Sequence, residues 1–157
     1  FNLANLYFMQ KDYTKAEPLF QRTLTMREKA LGPNHPDLIS SLIGLAVIYS
    51  EQKDYTKAES FYQRALAICD KTEGLKCPEI SIYLNNLAIL YYEQKDYTKA
   101  EPLFQRALVI HEKSPETDNL DIAMTLTNIA NLYQALGQND KAKEYSDRAK
   151  QISGKTK

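Results

Sequence analysis

The stretch Gln94-Lys95-Asp96-Tyr97-Thr98-Lys99-Ala100-Glu101 decides the fold, because it is written three times. The same word, QKDYTKAE, stands at Gln10–Glu17 and at Gln52–Glu59. The spacing is 52 − 10 = 42 and 94 − 52 = 42 residues. A fixed period in the range of about 20–50 residues marks a protein built from stacked units. Each unit contacts only its neighbours, and the stack presents an extended concave face. The chain of 157 residues holds a little under four such units, so the first question is what its surface binds.

Upstream of the third copy, Ile80, Leu84, Leu87, Ala88 and Tyr91 fall at helical spacing between Pro78 and Gln94. Pro78 and Glu79 suit a first turn, where a missing N–H costs little and a carboxylate meets the positive helix end. Lys95-Asp96 is a short break, and Asp96 is the expected N-cap of the next helix. That helix carries Ala100, Leu103, Phe104, Ala107, Leu108 and Ile110, again at helical spacing. Carried through the chain, the pattern predicts first helices near Phe1–Gln10, Pro36–Gln52, Pro78–Gln94 and Leu120–Leu136. Second helices are predicted near Tyr13–Ala30, Tyr55–Thr72, Tyr97–Lys113 and Asn139–Ile152. Breakers separate the units at Gly32–Pro36, Gly74–Pro78 and Ser114–Asn119. Pro18 and Pro102 sit early in second helices and are expected to bend them locally at most. No strand-like alternation competes, so the class is all-α. The expected organisation is one array over residues 1–157, with units at about 1–35, 36–77, 78–119 and 120–157.

Bulk properties narrow the function. Twenty Lys and Arg balance twenty Asp and Glu. No basic excess points to nucleic acid or to an anionic membrane. No apolar run reaches the ~18 residues of a transmembrane helix. Cys69 and Cys77 are too few for a disulfide scaffold, and two reduced thiols in a cytoplasmic protein are expected. The chain opens on Phe1, which aligns with mid-helix Ile43, so the array is expected to be cut at its front. At the back, Ser146 replaces Phe20, Tyr62 and Phe104, and Lys150 replaces Leu24, Leu66 and Leu108. A polar outer face is what a terminal repeat needs, so Asn139–Ile152 is read as the end of the array.

Alignment of the units keeps one set of positions small or apolar. Ala4, Ala46, Ala88 and Ala130 correspond, as do Ala16, Ala58, Ala100 and Ala142. Small residues there let paired helices approach to about 8–10 Å. In the second unit the order is Ala46, Tyr49, Ala58, Tyr62, Ala65, which resembles the tetratricopeptide repeat pattern. The usual period of that family is shorter. The 42-residue unit, the linker GPNHPD (residues 32–37) and the phrase NNLAILYYEQKDYTKAEPLFQRAL (residues 85–108) resemble the kinesin light chain class. The resemblance covers nearly the whole chain. It implies a right-handed superhelical solenoid of antiparallel helix pairs, with first helices lining a concave groove.

The expected groove residues are Asn2, Asn5, Asn85, Asn86, Ile89, Tyr92, Met124, Asn128 and Asn131. Asn2, Asn86 and Asn128 align across units, and Asn5 aligns with Asn131. An amide side chain donates and accepts at once, so a ladder of Asn can hold a peptide backbone without reading its sequence. Asn is also a mediocre helix former and needs a reason to sit mid-helix. Ile89, Tyr92, Met124 and Phe8 would supply apolar pockets. Kinesin light chain-like arrays are expected to use groove asparagines in this way. The groove stripe holds no Lys or Arg, which the carboxylate clamp of other tetratricopeptide arrays requires. A neutral or apolar peptide, extended or briefly helical, is therefore the expected partner.

The alternative is self-association through an exposed front end carrying Phe1, Leu3 and Leu6, giving a homo-oligomer. An enzyme is not expected: there is no GxGxxG, phosphate loop or HExxH. No metal or cofactor is expected, since His111 lacks the clustered ligands of a metal site and is read as a cation near a helix C-terminus. Glu17, Glu59 and Glu101 read as a solvated face. Arg22, Arg64, Arg106 and Arg148 read as a stripe of salt links.

Overall fold

The computed structural model describes residues 2–71, 80–113 and 118–154. Phe1, the Gly74–Pro78 breaker with Cys77, the Pro78-Glu79 first turn and residues 114–117 of the third breaker lie outside the described residues. Eight α-helices and no strand occur among the described residues. They are α1 (Asn2–Met9), α2 (Tyr13–Leu31), α3 (Ile39–Glu51), α4 (Tyr55–Lys71), α5 (Ile80–Glu93), α6 (Tyr97–Lys113), α7 (Asn119–Ala135) and α8 (Asn139–Ser153). They fall into two compact units, Phe1–Pro78 with α1–α4 and Glu79–Lys157 with α5–α8.

The repeated word builds the turn between the helices of a pair. Lys11, Lys53 and Lys95 adopt left-handed backbone, with φ of 58°, 61° and 62°. Asp12, Asp54 and Asp96 then cap the next helix, each accepting from the backbone N–H of the Lys three residues on at 3.3 Å. Those same lysines, Lys15, Lys57 and Lys99, lie over the rings of Tyr7, Tyr49 and Tyr91 at 5.2, 4.8 and 4.9 Å. The word is thus conserved between units by turn geometry and capping. In the fourth repeat Gly137 fills the left-handed slot, with φ of 73°. An L-residue there costs about 1–2 kcal/mol, partly offset by the extra freedom of Gly in the unfolded chain. Lys53→Gly should therefore raise stability by about 0.5–1 kcal/mol, read as a higher urea midpoint.

α2 and α6 run unbroken through Pro18 and Pro102. α3 starts differently from the expected Pro36. A single 3-10 turn, Pro36–Leu38, precedes it, and His35 caps that turn by accepting from the Asp37 N–H through Nδ1 at 3.2 Å. α7 is capped by Asp118, whose carboxylate accepts from the Leu120 N–H at 3.2 Å.

Within each unit the core runs between the helices of a pair and on to the next pair. Ala4, Ala16, Ala46 and Ala58 are fully buried in the first unit, and Ala88 and Ala100 in the second. Tyr49 stacks on Phe61 and Tyr133 on Tyr145, with ring centroids at 5.6 and 5.5 Å. The carboxylates read as a solvated face serve the stack instead. Glu17 accepts from the Tyr49 hydroxyl at 2.8 Å, and Glu101 from Tyr133 at 2.7 Å. Burial first, and then the Glu101 carboxylate, push the Tyr133 phenol up to about 12, so it stays a donor. The arginine stripe makes salt links, as expected, at Arg64 with Glu28 and at Arg148 with Glu112.

Two further expectations are corrected. Cys69 is fully buried in the last turn of α4 and is disulfide-bonded rather than reduced. The number of cysteines argues against a scaffold of bridges and leaves a single bridge open. His111 is buried between α6 and α7, not an exposed cation, and its Nδ1 lies 3.2 Å from Thr125 Oγ1. Burial holds it below the ordinary histidine value of 6.5, against a smaller opposite pull from Asp121. A base with a lowered folded value stabilises the fold fully above 6.5, the unfolded value. That contribution is lost as pH falls from 6.5 through the folded value. The urea midpoint should drop over this window, and His111→Asn, which cannot take up a proton, should lack that component of the slope.

Candidate functional site

The second unit gathers most of the expected groove residues. Asn85, Asn86, Ile89 and Tyr92 lie half-buried along one side of α5. On α7, Met124 and Asn131 are exposed and Asn128 is half-buried between them. α5 and α7 touch directly, as well as through α6. The contact is marked by a hydrogen bond of 3.3 Å from Asn128 Nδ2 to Asn85 Oδ1. Asn128 keeps one N–H and its carbonyl for another partner, and Asn85 keeps both N–H groups. The side chains of Asn86 and Asn131 make no hydrogen bond among the described residues. One pair of the ladder is therefore partly spent on the stack, and the other two amides are not.

Two cavities open along this face. One of ≈ 190 Å³ is lined by Ile89, Tyr92, Glu93, Phe104, Asn128 and Asn131. The other, of ≈ 250 Å³, is lined by Leu120, Ala123, Met124, Thr127, Asn128 and Ser153. Asn128 belongs to both, so it stands on the ridge between them. Tyr92 is held from behind by the Tyr97 ring at 5.6 Å. The only charged side chain among those lining the two cavities is Glu93. Phe104, on α6, was not among the expected groove residues. The apolar spacing of α6 marks it as core, and nothing in that pattern says that its ring also floors a cavity.

In the first unit, Asn2 is exposed and Asn5 half-buried on α1. Phe8 packs against Tyr13 at 5.9 Å and edge-on to Phe20 at 6.0 Å. On α3 the ladder position is Gly44, and Phe20 takes the space an Asn would need. A Cβ at Gly44 would lie 2.8 Å from two carbons of the Phe20 ring. Gly44 therefore interrupts the Asn ladder because the ring presses onto the helix backbone there.

The paired helices, the repeat and the small-residue positions define a helical-repeat scaffold. The tetratricopeptide repeat family model matches residues 1–71 and 79–154, and the chain belongs to that family. Proteins of this family generally serve as protein–protein interaction scaffolds. Among solved structures, BtubC (BKLC) from P. vanneervenii is similar at 28% identity and a TM-score of 0.91, over 97% of this chain and 61% of its own. A Podosopora anserina protein of kinesin light chain type, with nearly identical TPR-like repeats, matches at 24% identity and a TM-score of 0.79, over 98% of this chain and 73% of its own. Aspartyl phosphate phosphatase F from Bacillus subtilis shares the fold at 21% identity and a TM-score of 0.86, over 99% of this chain and 39% of its own. This chain thus spans about three fifths of the length of the first of these. No curated protein matches it. Among the described residues no helix is long and apolar enough to cross a membrane.

Proposed function

We propose that the face formed by α5 and α7 binds a neutral or apolar peptide segment of a protein partner. The observation that carries this reading is the cavity shared by Ile89, Tyr92, Asn128 and Asn131, flanked by the Asn85–Asn128 pair. Its amides suit a peptide backbone, and its apolar walls suit uncharged side chains. Glu93 is the charge at this site, so acidic segments are repelled. The role is that of a scaffold rather than a catalyst, in keeping with the family. A cytoplasmic setting belongs to the same reading. The disulfide-bonded Cys69 weighs against that setting, because disulfides are rare where glutathione keeps thiols reduced.

The test is selection from a random phage-displayed peptide library on the intact protein. The selected peptides should be uncharged or apolar. Asn86→Ala combined with Asn131→Ala should weaken them about tenfold, the loss of two hydrogen bonds worth about 0.5–1.5 kcal/mol each, while melting stays nearly unchanged. Peptides that bind the double variant as well as the parent would sink the proposal. Self-association has one supporting observation, the exposure of Leu3 and Leu6 on α1.

A further inference from the structure

We infer that the cavity between Ile89, Tyr92 and Phe104 is a specificity pocket for one tyrosine side chain of the partner peptide. Glu93 accepts from its hydroxyl, and the pocket admits the free phenol but not its phosphate ester. The inference rests on the peptide-binding reading above and names the residue that reading leaves open.

Size and walls come first. The cavity holds ≈ 190 Å³. Apolar space of about 150 Å³ is enough for a benzene ring, so one phenol ring fits. Tyr92 and Phe104 give it aromatic neighbours, and Ile89 gives it an aliphatic wall. Asn128 and Asn131 border the same space and suit the peptide backbone on either side of the ring.

The chain shows twice what a carboxylate beside aromatic rings accepts. Tyr49 stacks on Phe61 with centroids 5.6 Å apart and donates to Glu17 at 2.8 Å. Tyr133 stacks on Tyr145 at 5.5 Å and donates to Glu101 at 2.7 Å. Each time a phenol lays its face on a ring and gives its hydroxyl to a glutamate. The cavity presents the rings and the glutamate without the phenol. Glu93 is exposed, and its side chain makes no hydrogen bond or ion pair among the described residues. Its equivalent one repeat earlier, Glu51, does act on phenols. With burial the larger cause, the Glu51 carboxylate raises both Tyr13 and Tyr62 above the ordinary tyrosine value. Tyr62 is the equivalent of Phe104. The floor of the cavity is thus a ring with no hydroxyl, and the hydroxyl comes with the incoming side chain.

A cation is the rival match for a carboxylate. Arginine brings five N–H donors and lysine three, and most would be left facing Ile89 and the two rings. A phenol brings one donor, and Glu93 takes it. A phosphate ester adds roughly −1.5 to −2 charge. No side chain lining the cavity is basic, so Glu93 would meet that charge with its own.

The experiment uses pools of short capped peptides that differ only at the central residue, which is Tyr, phosphotyrosine, Phe, Leu or Arg. The flanks are random uncharged, non-aromatic residues. Each pool is passed over the immobilised intact protein, and the retained fraction is read by mass spectrometry. The Tyr pool should be retained best, the Phe pool about fivefold less for one hydrogen bond lost. The phosphotyrosine pool should fall by on the order of tenfold. Glu93→Ala should bring Tyr down to Phe, and Glu93→Lys should raise phosphotyrosine above Tyr. Circular dichroism checks that both variants keep their helix content. Retention of no pool above bare matrix would overturn the peptide-binding reading and this inference with it. Equal retention of all pools, Leu or Arg above Tyr, or a Tyr preference that survives Glu93→Ala would overturn the tyrosine pocket alone.

Discussion

Replacing Phe104 with Ala should cost about 3–5 kcal/mol, the range for removing a large buried aromatic side chain. The ring is 1% exposed and packs between α6 and α7 as part of the core of the second unit. It also floors the cavity that holds Ile89, Tyr92, Asn128 and Asn131. The urea midpoint should fall sharply, and melting should drop by on the order of 10 °C. Phe104→Leu keeps most of the volume and should lose less than half as much. A cost below about 1 kcal/mol for the Ala variant would mean that the ring is not the structural floor described above.

Replacing Gly44 with Asn should destabilise the first unit, although three aligned positions, Asn2, Asn86 and Asn128, carry Asn. Helix propensity favours the change by a few tenths of a kcal/mol. Sterics oppose it. The new Cβ would lie 2.8 Å from the Phe20 ring, a distance real Cβ atoms do not show. That ring is buried and braced edge-on by Phe8 at 6.0 Å, so it cannot swing aside. Overpacking of this kind costs about 1–3 kcal/mol, which exceeds the propensity gain. Gly44→Ala separates the two effects. It gains about 1 kcal/mol of propensity and still meets the ring. Phe20→Leu combined with Gly44→Asn should recover part of the loss, since the two sites share one contact. Equal or higher stability of Gly44→Asn in chemical denaturation would contradict the contact.

The contrast between Gly44 and Asn128 marks how far a sequence with this period can be read. Helix positions were legible because the unit is written out three times, so each boundary is seen in triplicate. Asp12, Asp54 and Asp96 were legible as caps because capping is local and needs only the next three residues. Most of what was not legible depends on side chains that meet between helices. Glu17 and Glu101 look solvated in a helical projection, yet each accepts from a Tyr 32 residues away. His111 lies in a last turn that favours a cation, and only the arrival of α7 removes it from water. The start of α3 was misplaced because the His35 ring caps a 3-10 turn before the α-helix begins. The Asn set is proposed from alignment across units and from the cost of Asn inside a helix. Phe104 was not found, because a core residue and a cavity floor have the same sequence signature. Gly44 aligns with the Asn positions, but its reason, the ring beneath it, belongs to a residue 24 positions upstream.

The central claim is that the α5–α7 face takes a peptide through its amides. It is tested most directly by a two-dimensional 1H–15N NMR titration of the intact protein with a library-selected uncharged peptide. The side-chain amide signals of Asn85, Asn86, Asn128 and Asn131 should shift together and saturably. Backbone signals of Ile89 and Tyr92 should move with them. Shifts confined to the second helices, with those four side-chain amides unmoved, would contradict the account.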